Sequence, residues 1–396
     1  MHPSEAITGT ASDLLKGRTI VLGITGSIAA VESFDLARDL MRHGARVVPV
    51  LTPEAQRLVT PCSLAFATGQ EPIVELDGRA QHVSLLGDVQ GRADLLLIAP
   101  ATANTICKIA CGIDDTPVTT MASVALGSGV PIVIAPAMHG AMFNNPMVAE
   151  AIERLKSVGV GFVGPRMEGR KAKIADREET VHAVIRRLSQ GLMKGRRVLV
   201  IGGSSAESID DMRIVTNRGT GETAVALALA AYHEGADTEL WMGRCTVPLP
   251  AFLRIRRFEA VGDLLEMVKE VDHDLALVPA ALSDFTFDRE RGKLPSEAKA
   301  TALQLKSVPK VLPSLKERCP KVIGFKAESG LGEEGLIAEA RASLKRYGLA
   351  AVAANDLKDV RPGSTRIVLV KARGRKVLEG SKADVARMLI AEAARL

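Results

Sequence analysis

The apolar positions of the chain form short continuous runs rather than alternating ones. Residues 19–22 and 47–51 are β-branched or apolar, and an apolar-periodic stretch closed by Gly44 lies between them. Continuous apolar runs are typical of strands buried on both faces of a parallel sheet, and the 3.6-residue period predicts the connecting helix. Residues 18–52 therefore predict a β-α-β unit.

The strings "ADLLLIAPATANT" and "VPIVIAPAMHG" repeat this pattern further along the first half. Each is a continuous apolar strand that ends at a proline and continues into a polar loop. Ligands of parallel sheets bind beyond the carboxyl ends of the strands. These polar loops are therefore the first place where we expect a site.

The same order of elements begins again near Gly195, with a strand, a Gly-rich turn, a helix, Gly235 and another strand. A helix predicted over residues 176–192, ending in "SQGLMKG", separates the two halves. The chain therefore predicts an α/β protein of two doubly wound, Rossmann-like domains, residues 1–192 and 193–396.

Composition narrows the possible functions. The chain has 396 residues, a net charge of +5 without a basic block, and 3% aromatic residues. These values argue against a nucleic-acid partner and suit small anionic ligands. With no secretory signal, no apolar run long enough for a membrane span and five cysteines, we expect a cytoplasmic protein that does not contact membranes. Cys107 and Cys111 could form half of a metal site, but no second pair of ligands is evident.

The stretch "GITGSIAA", residues 23–30, places small residues at a strand-to-helix turn. Backbone N–H groups there, aided by the Ser27 hydroxyl, can hold a phosphate. The alternative is a tight turn that needs glycine only for its backbone. Because the stretch is not G-x-G-x-x-G, it suits a mononucleotide such as FMN better than a dinucleotide.

Two further stretches carry polar groups after buried strands. Thr102, Asn104 and Thr105 open a helix, where they either approach a ligand or cap that helix. Met138 and His139 follow the strand of residues 132–136, where a histidine beside methionines is more often a core residue than a catalytic one.

The first half closely resembles the flavin-containing cysteine decarboxylases, and specifically the phosphopantothenoylcysteine decarboxylase domain of bifunctional coenzyme A biosynthesis proteins. The strings "GITGSIAA", "LTPEAQRLVTP", "HVSL", "APATANTICKIACGIDDTPVTTM" and "APAMHGAM" stand in family order. The resemblance implies an FMN at a subunit interface of a trimer, with His82 essential for catalysis. The FMN contacts that it implies are Gly26, Ser27, Ile28, Thr52, Thr102, Ala103 and Asn104.

Two positions depart from the family pattern. His139 stands where the family has an asparagine that holds the substrate carboxylate, and Met138 is the preceding substrate contact. The segment "GPRMEGRKAKIADREE" lacks the cysteine of the family's substrate-covering "A-C-G" segment, as in archaeal-like members. Lys171 or Lys173 could stand over the phosphate or serve as an acid, or the segment is a solvated basic loop.

The second half resembles phosphopantothenate–cysteine ligase. The strings "IGGSSAESIDDMRIVTNRGTGETA", "PAALSDF", "GKLPSE", "VPKVL" and "GFKAES" correspond to family motifs. By that match Asn217 and Lys293 are catalytic: Asn217 holds the acyl-nucleotide and Lys293 stabilises charge at the α-phosphate. Phosphopantothenate is implied to contact Arg218, Gly219, Thr220 and Gly221. The nucleotide is implied to contact Gly202, Gly203, Ala280, Ala281, Asp284, Lys293, Pro309, Lys310, Val311, Leu312, Phe325 and Lys345.

The resemblance further implies the substrates 4'-phosphopantothenate, cysteine and a nucleoside triphosphate, usually CTP, with Mg²⁺. The Mg²⁺ ligands are unknown. Two phosphate-binding lysines of the family fall on Ser343 and Tyr347, with Lys345 between them, and Lys310 replaces an acidic residue. These differences leave the choice between CTP and ATP open.

The leading hypothesis is therefore a bifunctional enzyme that joins cysteine to phosphopantothenate and decarboxylates the product. One alternative keeps the ligase and weakens the decarboxylase, because of His139 and the missing cysteine. Another is a regulatory binding protein, which the presence of His82, Asn217 and Lys293 disfavours. The family's trimeric decarboxylases and dimeric ligases imply a homo-oligomer, with a dodecamer as the expected assembly.

Overall fold

A computed structural model describes residues 2–168, 171–288, 292, 304–359 and 364–396, without the side chains of 166–168, 171–173 and 359. The chain divides into two compact units, Met1–Ser189 and Gln190–Leu396. Each unit is an α/β sandwich around its own parallel sheet, which confirms the predicted fold class.

The first unit is built on a five-stranded parallel sheet with the order β2-β1-β3-β4-β6, the flavodoxin-like order. Its strands are β1 (Thr19–Ile24), β2 (Arg46–Leu51), β3 (Leu95–Ala101), β4 (Ile132–Pro136) and β6 (Gly161–Phe162); β5 (Met138–His139), β7 (Arg166–Glu168) and β8 (Lys171–Lys173) form a separate antiparallel sheet. Its helices are α1 (Ser33–Arg42), α2 (Pro61–Thr68), α3 (Gln81–Leu86), α4 (Ala103–Ala110), α5 (Pro117–Ser128), α6 (Gly140–Phe143), α7 (Pro146–Ser157) and α8 (Arg177–Leu188).

Both faces of this sheet are buried, as the continuous apolar runs predict. Successive residues of β1 and β3 enter different cores: Leu22 and Leu97 pack into one, whereas Val21 and Leu96 pack into the other. Side chains alternate between the faces of a strand, so a strand covered on both sides must be apolar at every position.

One helix ends earlier than predicted, and the structure fixes the start of another. The helix predicted over 176–192 ends at Leu188, because Ser189 adopts an extended backbone with ψ 169°. After the Gly-rich turn the chain first forms a 3-10 segment, Ile28–Glu32, and α1 begins only at Ser33. Local backbone geometry, rather than the apolar pattern, sets both limits.

The second unit is built on an eight-stranded sheet with the order β13-β12-β9-β14-β17-β18-β19-β20. The first six strands are parallel in the Rossmann order. The last two, β19 and β20, each run antiparallel to the strand before them in this order. They are β9 (Arg197–Gly202), β12 (Asp237–Met242), β13 (Arg254–Arg257), β14 (Leu275–Val278), β17 (Lys321–Glu328), β18 (Ala351–Asp356), β19 (Thr365–Lys371) and β20 (Arg375–Gly380).

In the described part of the second unit, two short hairpins and five α-helices accompany this sheet. The hairpins are β10 (Ala206–Ser208) with β11 (Ile214–Thr216), and β15 (Phe285–Thr286) with β16 (Lys306–Ser307). The helices are α9 (Glu222–His233), α10 (Val261–Val268), α11 (Val311–Arg318), α12 (Gly332–Tyr347) and α13 (Lys382–Ala393). Across the residues that the structure describes, no helix has the length and apolar character to span a bilayer.

Acidification is expected to destabilise the first unit through His182 on α8. This side chain is 9% exposed, and its ring contacts His43 edge-on with centroids 6.1 Å apart. Burial, and secondarily the nearby His43, lowers the pKa of His182 from 6.5 to about 4. Stability is therefore complete above about pH 6.5 and falls below it, because the unfolded chain binds the proton first. The expected loss from His182 is about 2 kcal/mol at pH 5.

Scanning calorimetry of the wild type and of His182→Leu at pH 7 and pH 5 tests this. We expect the variant to show a smaller fall of the melting temperature, with a residual slope from His43, whose pKa burial also lowers. Carboxylates away from this side chain titrate alike in both proteins, so the difference reports on His182 together with Glu178, whose carboxylate lies 4.0 Å from its Nε2. Equal falls in the two proteins would contradict the prediction.

Candidate functional site

The Gly-rich turn of the first unit leaves the sheet at the carboxyl end of β1. Thr25 donates its hydroxyl to the carbonyl of Pro100, 2.8 Å away. The Ser27 hydroxyl accepts the N–H of Ala29 at 3.4 Å and so caps the 3-10 segment. A Cβ at Gly26 would lie 2.5 Å from Cβ of Glu54, so only glycine fits this approach between the ends of β1 and β2.

The turn after β3 lies directly beside the Gly-rich turn. The backbone N–H of Thr102 donates to the Thr25 hydroxyl at 3.0 Å. The Thr102 hydroxyl caps α4 by accepting the N–H of Thr105, while Asn104 is exposed on the first turn of the helix. Thr102 is thus a helix cap, as the alternative interpretation holds, and it also lies at the β1/β3 point where ligands of this sheet order bind.

Thr52 completes this edge of the sheet after β2. Its N–H donates to the carbonyl of Ile24 at 3.0 Å, and its hydroxyl accepts the N–H of Ala55 at 3.2 Å. Small residues, hydroxyls and helix starts at three neighbouring strand ends suit the phosphate of a mononucleotide. The residues of this edge therefore fit FMN.

His139 lies next along the same edge, after β4. The N–H of Ala137 donates to the carbonyl of Ala101 at 2.9 Å, which ties this turn to β3. His139 is exposed, and its Nδ1 accepts the N–H of Ala141 at 3.3 Å, so the ring caps α6. With Nδ1 used as an acceptor, Nε2 carries the proton of the neutral ring and can donate it to a carboxylate.

The basic segment predicted to cover the substrate pairs with this turn. Strand β8 runs antiparallel to β5, with Lys171 opposite His139 and Ala172 opposite Met138. The segment without a cysteine is therefore placed directly beside the substituted His139.

His82 lies on α3, which packs against α5. The residue is half-buried, and its Nδ1 is buried without a hydrogen-bond partner among the residues that the structure describes. A buried ring nitrogen without a partner is costly, which makes this atom a candidate for a ligand contact. Among those same residues, no hydrogen bond joins His82 to the side chains at the sheet edge.

The second unit contains a cavity of about 660 Å³ at the carboxyl ends of its parallel strands. It opens between β9 and β14, where the strand order changes direction, which is the usual ligand position in this fold. Its lining includes Gly203, Gly219, Thr220, Gly221, Ala280, Ala281, Asp284, Pro309, Lys310, Val311, Leu312 and Phe325.

The Gly-rich turn of this cavity is held by close backbone contacts. Gly203 has a φ of +73°, and a Cβ there would lie 2.6 Å from the carbonyl oxygen of Arg244. The N–H of Gly219 donates to the Ser204 hydroxyl at 3.1 Å. The amide of Asn217 donates to the carbonyl of Ala281 at 3.0 Å. The segment of Asn217, predicted to bind phosphopantothenate, is therefore joined to the segment of Ala281, predicted to bind the nucleotide.

The far side of the cavity carries an ion pair between Asp284 and Lys310. The N–H of Val308 donates to the carbonyl of Asp284 at 3.0 Å, so the two strands of the β15/β16 hairpin bring these side chains together. Phe325 on β17 lines the cavity nearby. With a basic residue at position 310, the carboxylate of Asp284 already has a counter-ion.

Comparisons with known proteins agree with this geometry. Residues 8–189 match the family model "Flavoprotein", and residues 193–396 match "DNA/pantothenate metabolism flavoprotein C-terminal domain". The coenzyme A biosynthesis bifunctional protein CoaBC of Thermococcus kodakarensis is 43% identical over 376 residues, 93% of each chain. The chain belongs to the CoaBC family. Its resemblance to archaeal members is also confirmed, since the CoaBC of Methanocaldococcus jannaschii is 36% identical over 100% of this chain and 98% of its own.

Solved structures align with parts of the chain. The DNA/pantothenate metabolism flavoprotein of Streptococcus pneumoniae covers 51% of this chain and 99% of its own, with 24% identity and a TM-score of 0.48.

Several residues that the CoaBC motifs suggest lie away from the cavity. Gly202 packs against α9, where a Cβ would lie 2.0 Å from Cβ of Ala224. Arg218 and Lys345 are exposed and do not line the cavity, whereas Gly219 does. Lys293 lies outside the described residues, but its neighbour Gly292 donates its N–H to Asp211 at 2.9 Å.

Other lining residues were missed by motif comparison. Counting along the sequence placed the family's two lysine positions of α12 on Ser343 and Tyr347, which both line the cavity, but the nearby basic residue chosen in their place was Lys345. The missed residues include Lys326, Arg346, Asn355 and Lys382. The helical period could have identified Arg346, which lies three residues after Ser343.

No metal centre is evident among the described residues. They hold no group of three or more histidine, cysteine, aspartate or glutamate side chains that could bind an ion. Cys107 and Cys111 are both free thiols.

Proposed function

We propose that the chain catalyses two consecutive steps of coenzyme A biosynthesis. The second unit joins cysteine to 4'-phosphopantothenate through an acyl-nucleotide, and the first unit decarboxylates the product to 4'-phosphopantetheine. The observation that supports this best is the pair of strand-end sites in one chain, one at each point where ligands of these sheets bind.

In the ligase step, a carboxylate must be activated before an amine can displace its oxygen. We assign the substrate carboxylate to the side of the cavity with Gly219, Thr220 and Gly221, to which Asn217 is joined through Ala281, and the nucleotide to the side with Asp284 and Phe325. One hydrogen of the Asn217 amide is bound to Ala281, and the second is available to donate to an acyl oxygen. CTP and Mg²⁺ are the proposed nucleotide and metal.

Lys293 is the proposed group that stabilises charge on the α-phosphate as the nucleotide is displaced. Its neighbour Gly292 bonds to Asp211, which precedes the β11 strand that leads to Asn217. This contact joins Gly292 to the segment that carries Asn217.

In the decarboxylase step, the proposed FMN contacts are Gly26, Ser27, Ile28, Thr52, Thr102, Ala103 and Asn104. Bound FMN supplies the reversible two-electron oxidation of the cysteine thiol that makes loss of CO2 feasible. His82 holds or transfers a proton through its ring nitrogens. His139 donates from Nε2 to the substrate carboxylate, and Met138 lines that side.

We further propose that the protein works as a homo-oligomer, with trimeric decarboxylase and dimeric ligase contacts that together build a dodecamer. Ile28 is 75% exposed and Val31 is 56% exposed beside the Gly-rich turn. Apolar side chains exposed beside a ligand turn are typical of a surface covered by another subunit. Light scattering of a flavin-bound monomer would contradict this assembly.

An assay with phosphopantothenate, cysteine, Mg²⁺ and CTP tests the function when pyrophosphate and CO2 are followed separately. We expect both products, and a yellow protein with flavin absorbance. Pyrophosphate without CO2 would leave a ligase with a weakened decarboxylase. The absence of both pyrophosphate and CO2 would refute the proposed function.

A further inference from the structure

Among the residues of the second unit that the structure describes, four basic side chains line the cavity: Lys310, Lys326, Arg346 and Lys382. The three lysines are each paired with a carboxylate of the same unit. Their partners are Asp284, Glu328 and Glu222, respectively. Much of the positive charge of these lysines is therefore already compensated before any ligand binds.

Arg346 differs from these lysines. No carboxylate lies within ion-pair distance of its guanidinium among residues 2–168, 171–288, 292, 304–359 and 364–396. The guanidinium carbon lies 5.4 Å from the ring centroid of Tyr347, a contact that restrains the side chain. Glu339 also lines the cavity, but its carboxylate acts on Lys326 and forms no ion pair with Arg346. A guanidinium that is in no ion pair is suited to an oxyanion, which it can bind through two parallel N–H groups.

The phase of α12 separates Arg346 from Lys345. The helix lines the cavity with positions 339, 342, 343, 346 and 347. These positions follow the i, i+3, i+4, i+7 spacing of a single helix face. Lys345 falls between them on the opposite side, where it is exposed. The cation that α12 presents to the cavity is therefore Arg346.

Two substrates of the proposed ligase carry phosphate, and the position of Arg346 favours one of them. Helix α12 packs on β17, the strand of Phe325 and Lys326, and on α11, whose start is at Val311. In the phosphopantothenate segment, Gly219 lies against Ser204 after β9 and Gly221 lies against Met242 of β12, and β9 is separated from β17 by β14. Two strand spacings are about 10 Å, so Arg346 belongs to the nucleotide side.

We propose that Arg346 binds the polyphosphate of the nucleotide and determines its affinity, and that Lys345 has no part in this. This inference rests on the proposed ligase function. It assigns the phosphate-binding cation of α12 to a residue that motif comparison does not identify.

The test compares Arg346→Ala and Arg346→Lys with Lys345→Ala, a matched control on the same helix. Steady-state ligation gives kcat and the KM for CTP and for phosphopantothenate. We expect Arg346→Ala to raise the KM for CTP about tenfold and Arg346→Lys to raise it less, since lysine keeps the charge but not the two-pronged contact. The KM for phosphopantothenate and the CO2 release from supplied phosphopantothenoylcysteine should not change.

Calorimetric binding of CTP and of cytidine adds a readout that a structural role would not alter. Arg346→Ala should weaken CTP and leave cytidine unchanged, while Lys345→Ala changes neither. Normal kinetics of Arg346→Ala in a protein that ligates would overturn the inference alone. A change in the KM for phosphopantothenate instead of the KM for CTP would also overturn it, and so would a raised KM for CTP in Lys345→Ala. A wild type that binds CTP no better than cytidine would refute both the inference and the ligase.

Discussion

Replacement of His82 by asparagine is expected to lower CO2 release from phosphopantothenoylcysteine at least about 100-fold. Asparagine keeps a similar size and hydrogen-bonding groups but cannot accept and return a proton near neutral pH. Loss of a proton-transferring side chain typically costs about 10²–10⁴ in rate. The unpartnered, buried Nδ1 of His82 indicates that this ring is not needed to satisfy another group of the first unit.

The same protein sample contains the control for this experiment. Pyrophosphate release with phosphopantothenate, cysteine and CTP should keep its wild-type rate, because Asn217 and the 660 Å³ cavity belong to the other unit. Ser84→Ala, on the exposed face of α3, is a matched variant that should retain decarboxylation. Flavin absorbance should persist in both variants. His82→Asn that releases CO2 within tenfold of the wild-type rate would show that His82 is not the proton carrier.

The predictable part of this molecule is the part fixed by local patterns. Continuous apolar runs identified β1, β3 and β9, because strands that are covered on both faces need an apolar residue at every position. The strand ends followed directly, and with them the Gly-rich turns at Gly26 and Gly203.

The direction in which each side chain faces was harder to predict, because it depends on packing between elements. Gly202 and Gly203 are adjacent, yet one makes room for Ala224 of α9 and the other lines the cavity. Lys345 and Arg346 are also adjacent, and only the tertiary position of α12 decides which one faces the ligand. Motif comparison counts residues along the chain, so it cannot resolve such neighbours.

The replacement of the family's asparagine by His139 in this chain illustrates a different limit. The sequence shows the substitution, but only the structure shows that Nδ1 accepts the N–H of Ala141 and leaves Nε2 to donate. A single donor on a longer side chain can still reach a carboxylate if the neighbouring backbone is positioned for it. The pairing of β5 with β8 places the cysteine-free segment there as well. The two departures from the family pattern, His139 and the cysteine-free segment, are therefore adjacent in the structure, although they are far apart in the sequence.

Replacement of Asn217 by aspartate is expected to lower formation of the amide between cysteine and phosphopantothenate at least about 100-fold. Aspartate has the same shape, but it cannot donate to the carbonyl of Ala281, which Asn217 contacts at 3.0 Å, and it brings a negative charge beside an anionic substrate. Removal of one donor aimed at a developing oxyanion costs about 10²–10³ in kcat. The measurement is product formation by mass spectrometry, with CO2 release from supplied phosphopantothenoylcysteine as the control that should remain at the wild-type rate. Normal ligation by Asn217→Asp would show that Asn217 is not part of the site. Loss of both activities would point to a folding defect. Asn217→Ser, which keeps a smaller donor, would then distinguish a folding defect from a catalytic one.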